Sequence, residues 1–217
     1  MIKGGDIKIV CKLPLRKAPG LDGIMNEHIR YANPRLIYIL KLLFNAFLSH
    51  GYLPKTFIES VISPVLKEKS GSIHDKSNYR PISLSSAIAK IFEILILNRI
   101  EHLLNVNANQ FGFKRKHSTD SCILLLKELI RYYRSKGSPV FTCFLDASKA
   151  FDRVNHSILF QKLTRRGIPA YIVRIMALWY RNNMFLLNGV NRFLSPFQLI
   201  MAFDRVVYYP LFYLIFI

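Results

Sequence analysis

Acidic residues are scarce in this chain: 13 Asp and Glu stand against 31 Lys and Arg in 217 residues, a formal charge of +18. A field of that sign disfavours cationic partners and attracts a polyanion or an anionic membrane surface. Cysteine is scarcer still. Cys11, Cys122 and Cys143 lie far apart with no CxxC spacing, which argues against a disulfide framework and a thiolate zinc site. Their apolar neighbours predict buried thiols. The six histidines are scattered, and none pairs with another at metal-ligand spacing. There is no repeat, low-complexity tract or long linker, so the chain reads as one continuous globular unit. The opening MIKGGDIKIV lacks the basic-then-apolar layout of a secretory signal, which points to a reducing compartment, cytoplasm or nucleus. The final YYPLFYLIFI is intensely apolar but only about half the length a membrane-spanning helix needs. An interrupted core strand or helix is expected there, with a peripheral membrane anchor as the competing reading.

A hydrophobic content of 51% is ample for a packed core. Asn33-Pro34 marks a helix start, and the run from Arg35 to His50, apolar on most sides, stops at Gly51 and Pro54. Val61 to Leu66 and Pro81 to Leu84 are short extended segments joined by the polar loop KEKSGSIHDKSN, a hairpin with a basic loop. Ser83, Ser85 and Ser86 are placed to cap a helix whose core stripe is Ile88, Phe92, Leu95, Ile96 and Leu103, with Lys90 and Arg99 off it. A helix over Thr119 to Lys136 ends at Gly137. Val140 to Leu145 then predicts a fully buried strand, and Val154 to Arg166 a helix stopped by Gly167. Helices alternating with short strands give an α/β or α+β domain.

The residues with most chemical content are FLDASKAFDRVNH, Phe144 to His156. A buried strand delivering Asp146 at its end is one way to hold a hard divalent cation, since Mg²⁺ takes oxygen ligands in rigid octahedral geometry. Asp146 could equally cap the turn that follows. For Asp152 the capping role is preferred, at the start of the next helix.

This stretch resembles the first palm motif of reverse transcriptases, in the form found in non-LTR retrotransposons of the jockey and LINE type. Other segments are similar to the same family in the same order. RKAPGLDGI (Arg16 to Ile24) is similar to the KAPGPDGI segment of the N-terminal fingers extension, NYRPISL (Asn78 to Leu84) with KIFEILILNRI to the fingers motif, and QFGFKRKHST (Gln110 to Thr119) to the segment leading into the palm. Together they are collinear from about residue 16 to 167. The resemblance implies a right-hand polymerase fold with fingers and a partial palm but no thumb. Residues 1–50 would form the N-terminal extension and 51–217 the fingers and partial palm, degraded after about 190.

Carried over residue by residue, the resemblance makes Asp146 the first metal-binding aspartate and the carbonyl of Ala147 the neighbouring Mg²⁺ ligand. The reaction implied is RNA-templated DNA synthesis by two-metal nucleotidyl transfer. Phe151 matches the bulky aromatic that excludes a ribose 2′-hydroxyl, although a core phenylalanine would look the same. Arg80 aligns with the arginine that grips the incoming dNTP, a planar fork suited to phosphate, and Lys67 is its companion, with Lys69 an equal candidate. Gln110, Lys114, Arg115 and Lys116 would contact the template through phosphates. The implied partners are an RNA template, a DNA primer and dNTP.

The sequence also departs from the family. The chain as given holds no YADD or FADD turn. The region around the family's Arg-Gln-Gly motif keeps only Arg205 and Pro210 amid bulky residues, which suggests decay or a mistaken gene model. One carboxylate gives two Mg²⁺ ions at about 3.5–4 Å too little counter-charge. This chain alone is therefore expected not to polymerise, and the alternative reading is a catalytically dead, basic nucleic-acid-binding remnant.

Overall fold

The computed structural model describes residues 2–3, 5–68, 70–75, 78–104, 107–112, 114, 116–146, 154–187 and 193–194. A 3-10 segment, Asp6–Lys12, and an irregular stretch lead into α1 (Asn26–Arg30), α2 (Arg35–His50) and α3 (Lys55–Ile58). The hairpin of β1 (Glu59–Leu66) and β2 (Tyr79–Ser85) runs into α4 (Ala87–Ile100), followed by a 3-10 turn, Glu101–Leu103. Then come α5 (Thr119–Ser135), α6 (His156–Arg165), α7 (Ala170–Asn182), β3 (Met184–Leu187) and β4 (Phe193–Leu194). Among the described residues the result is a mixed α/β fold with one small, four-stranded sheet.

Local chemistry sets most of these boundaries. Asn33 Oδ1 accepts the Arg35 N–H at 3.0 Å at the entry to α2, and Gly51 ends the helix with φ +63°, in the left-handed region that favours glycine. Ser86 Oγ accepts the Ala89 N–H at 3.1 Å and caps α4. Ser118 caps α5 through the Ser121 N–H, and Asn155 caps α6 through the Ile158 N–H. The cap of α6 is thus Asn155; Asp152, the residue expected there, lies outside the described residues.

The sheet order is β2-β1-β3-β4, with β1 antiparallel to β2, parallel to β3, and β3 antiparallel to β4. In the hairpin Pro64 faces Pro81. Neither can donate an N–H, so this must be a non-hydrogen-bonded pair, and alternation makes 65/80 and 67/78 the hydrogen-bonded ones. The Lys67 N–H does donate to the Asn78 carbonyl, at 2.7 Å.

Directly paired residues share a face. Ser60, Ile62, Ser85 and Phe185 therefore form a back face, which is buried. It packs over a core of rings from four helices: Phe44 and Phe47 of α2, Phe57 of α3, Phe92 of α4 and Trp179 of α7, with centroid separations from 5.0 Å (Phe44–Phe92) to 6.3 Å (Phe44–Phe47). α4 is enclosed nearly all round, burying Ala87, Ala89, Ile91, Phe92, Glu93, Leu95, Ile96 and Ile100.

Two expectations are overturned. Residues 140–145 are neither a strand nor buried. Among the described residues no strand pairs with them, and Phe141, Phe144 and Leu145 are 93%, 81% and 93% exposed. An apolar segment becomes a buried strand only when other strands and a covering layer meet it. The cysteines are not buried thiols either, since all three are exposed. Cys122 lies on α5, which buries no residue, Cys143 lies within the unpaired run, and Cys11 lies in the N-terminal 3-10 segment. The terminal apolar run falls outside the described residues, and among those that are described no helix is long and apolar enough to cross a membrane.

Candidate functional site

The hairpin is closed by its own side chains. Asn78 Oδ1 accepts the Glu68 N–H at 3.2 Å, while Asn78 Nδ2 donates to the carbonyls of Glu68 and Ser72. The Tyr79 hydroxyl donates to the Ile73 carbonyl at 2.9 Å. Asn78 and Tyr79 are thereby occupied in folding the loop. Arg80, next along, lies on the other face of β2.

That face is the open one. Register places Arg80, Ile82 and Leu84 of β2 beside Val65, Ser63 and Val61 of β1, with Leu186 and Met184 of β3 continuing the row. Arg80 is exposed, as are Ile82, Val65 and Met184. The sheet thus presents an apolar floor with one guanidinium standing on it, and no described side chain engages that guanidinium. Lys67 follows β1 directly and is half-buried, so the hairpin brings together the two candidate phosphate contacts. Lys69, the alternative, lies outside the described residues.

A second feature adjoins the same strand. The backbone of Gly20 runs so close to Ser85 and Ser86 that a Cβ there would lie 2.7 Å from the Ser86 nitrogen. The segment from Arg16 to Ile24 is in this way seated on the junction of β2 and α4. Beside it, a cavity of about 380 Å³ is walled by Leu13, Pro14, Leu84 and Leu97, with Lys17, Lys90 and Glu93 also lining it. Burial pulls the Lys90 pKa below its usual range, opposed by the carboxylates of Glu93 and Asp22. At the far end of the segment, the Glu27 carboxylate accepts the Arg16 N–H, which holds its pKa below the ordinary carboxylate range.

The remaining candidates lie on other pieces of chain. Gln110 Nε2 donates to the Gly112 carbonyl at 2.9 Å, and Lys114 Nζ donates to the carbonyls of Asn107 and Ala108 at 3.3 and 3.2 Å. Both side chains bind their own loop. Lys116 is exposed, with φ +62°. Arg115, Ala147 and Phe151 lie outside the described residues. Asp146 is exposed at the end of the irregular 138–146 segment. Among the described residues no group of three or more His, Cys, Asp or Glu is placed to hold a metal ion. One solvated carboxylate does not make a Mg²⁺ site, so the described residues do not fit a resident metal pair.

The open sheet face was not foreseen from the sequence, because Val61, Ile62, Pro64, Val65 and Leu66 are apolar on both alternations. The partial clue was the loop chemistry of Asn78 and Tyr79, which fixes the register and hence the face of Arg80.

Comparison with known proteins shows the family of the chain. Residues 66–201 match the family model described as reverse transcriptase (RNA-dependent DNA polymerase). The RNA-directed DNA polymerase from mobile element jockey of Drosophila melanogaster is 35% identical over 166 residues, covering 74% of this chain and 18% of that protein. The transposon BS protein of the same fly, described as a probable RNA-directed DNA polymerase, is 30% identical over 196 residues, covering 88% of this chain and 21% of the relative. The Pol polyprotein from type-1 retrotransposable element R2 of Nasonia vitripennis is 30% identical over 185 residues, 84% of this chain and 17% of that one. The chain spans about a fifth of the length of these curated relatives. With the matched region running from the end of β1 past β3, the chain belongs to the reverse transcriptase (RNA-dependent DNA polymerase) family and carries part of that domain.

Proposed function

We propose that the chain is the fingers and part of the palm of a right-hand polymerase, serving RNA-templated DNA synthesis within a longer retrotransposon protein. Residues 1–50 act as the N-terminal extension and 51–217 as fingers and partial palm. The observation that carries this reading is the open sheet face: a guanidinium projecting from an apolar floor beside a self-closed hairpin. Arg80 binds the triphosphate of an incoming dNTP through its planar fork, with Lys67 as a second cation. Ile82 and Val65, exposed beside it, offer an apolar bed that keeps water from the bound phosphates, where charge-assisted bonds are stronger. Phe151 selects against a ribose 2′-hydroxyl. Lys116 and Arg115 contact template phosphates, joined by Gln110 and Lys114 if their loop bonds are exchanged for the strand.

Asp146 and Ala147 are the metal-ligand positions of this reading. Mg²⁺ would supply charge neutralisation at the transferred phosphate, but the described residues leave Asp146 alone in solvent. The 217-residue chain is accordingly expected to hold nucleotide and nucleic acid without joining them. The test is a primed RNA template with dNTPs and Mg²⁺, run beside a dNTP titration. No extension is expected, and Arg80→Ala should weaken dNTP binding about tenfold, the loss of one charge-assisted contact. Extension that disappears in Asp146→Asn would overturn the inactive reading, and dNTP binding indifferent to Arg80→Ala would overturn the role of the fingers face.

A further inference from the structure

The N-terminal extension carries a surface that the fingers face does not use. After Glu27 the next acidic residue is Glu59, so α2 and both its flanks hold no carboxylate, while Arg30, Arg35, Lys41 and Lys55 fall between. Glu27 marks the edge of this stretch, and its Oε1 accepts the Arg16 N–H. On this acid-free stretch Tyr31 and Tyr38 are 72% and 71% exposed. Each has a cation against its ring: the Arg30 guanidinium carbon lies 5.9 Å from the Tyr31 centroid and Lys41 Nζ lies 5.8 Å from that of Tyr38. A recess of about 350 Å³ opens among Pro34, Ile37, Tyr38 and Lys41. Ile39 and Leu42 extend the exposed surface, on the opposite side of the helix from the buried Leu40, Phe44 and Phe47.

We propose that this surface of the α1–α2 region is a second single-strand nucleic-acid site, in which bases stack on Tyr31 and Tyr38 and phosphates lie on Arg35 and Lys41. Rings for sequence-independent stacking, interleaved with cations and free of carboxylates, match what a single strand requires. An anionic membrane would be drawn by the same charge, but it would not need a cation held over each ring. Arg30 contributes less to phosphate binding because it already donates to the Leu13 carbonyl at 3.3 Å. The inference rests on the nucleic-acid-handling reading above and adds a place for the strand away from the polymerising face.

The test is fluorescence anisotropy of a labelled oligouridylate against the full 217-residue chain over a range of salt, with phosphatidylserine vesicles as a separate arm. Tyr31→Ala with Tyr38→Ala should weaken oligouridylate binding about tenfold or more with little change in its salt slope, since stacking involves no counterion. The Phe pair at the same positions should restore it, which guards against a variant that merely misfolds. Lys41→Ala should reduce the slope of log K against log salt by about 0.7. Oligouridylate binding that survives the Ala pair would overturn the proposal, as would loss of vesicle binding in its place. The two readings separate cleanly. If Lys116→Ala abolishes oligouridylate binding and the tyrosine pair does not, this site falls and the template contacts proposed above stand. If the tyrosine pair abolishes it while dNTP binding ignores Arg80→Ala, this site stands and the fingers face falls.

Discussion

α4 and α5 are both helices rich in Ile and Leu, and both are capped by a serine at the entry. α4 buries eight residues, including Glu93, while α5 buries none and leaves Ile123, Leu124, Leu125, Leu129, Tyr132 and Tyr133 exposed. The difference lies in what surrounds them. α4 has the Leu13–Ala18 segment on one side and Phe44, Phe47, Phe57 and Trp179 on another. α5 is followed by the equally apolar and equally uncovered 138–146 segment. Amphipathic pattern predicts which side of a helix can be buried, but only a partner layer buries it. The same applies to the site: the candidate residues on the packed half have a defined geometry, and those on the open half, Asp146 and Lys116, stand in solvent.

The sharpest way to break this comparison is to delete one ring from each half. Trp179, fully buried and within 5.3 Å of Phe57 and 6.0 Å of Phe92 between ring centroids, should cost about 3–5 kcal/mol as Trp179→Ala. Phe144→Ala, at a position 81% exposed, should change stability by no more than about 0.5 kcal/mol. Urea unfolding followed by far-UV circular dichroism measures both. Comparable losses would mean that the 138–146 segment is packed in solution.

A smaller effect sharpens the link between the N-terminal segment and the junction of β2 and α4. In Gly20→Ala the atoms nearest the new methyl are backbone, at 2.7 Å for the Ser86 nitrogen and 2.9 Å for the Ser85 carbonyl carbon and the Ser86 Cα. Backbone cannot swing aside as a flexible side chain can, so the segment or the capped start of α4 has to shift, at about 1–3 kcal/mol. Gly5→Ala, where a Cβ meets nothing within 4 Å, is the control and should leave the melting temperature unchanged. An unchanged melt in Gly20→Ala would show that the segment is not seated on Ser85 and Ser86.

Much of the packed half was legible in the sequence because it is punctuated locally. The Pro34 and Gly51 boundaries frame α2, Ser86 caps α4, and Gly137 and Gly167 take φ of +74° and +79° just past α5 and α6, whereas the cap of α6, expected at Asp152, is Asn155. The hairpin was legible for the same reason. What escaped was non-local. α7 begins after Pro169 without a side-chain cap, and β3 pairs in parallel with a strand more than a hundred residues earlier, which no local period encodes. The run 140–145 was misread because its composition is that of a buried strand while its surroundings are not. At the site, the resemblance located Arg80 and Lys67 on one hairpin, but it gave no sign that Gln110 and Lys114 are tied to their own loop.

The smallest expected effect concerns the seam between α6 and α7, the last packed contact before the chain reaches β3. His156, half-buried at the start of α6, has its ring centroid 4.8 Å from that of Tyr180, which also meets Phe160 at 5.9 Å. Burial holds the His156 pKa below its ordinary 6.5. In the folded state the imidazole resists a proton that the unfolded chain accepts, so between the lowered value and 6.5 the unfolded state binds more protons and stability rises with pH. The contribution is complete above 6.5 and is lost as the pH falls through the lowered value. In His156→Gln the urea midpoint should therefore fall less than in the parent when the buffer is taken from about pH 7.5 to about pH 5.5. Equal losses in the two proteins would show that this ring is hydrated and that the seam is as open as the face of α5.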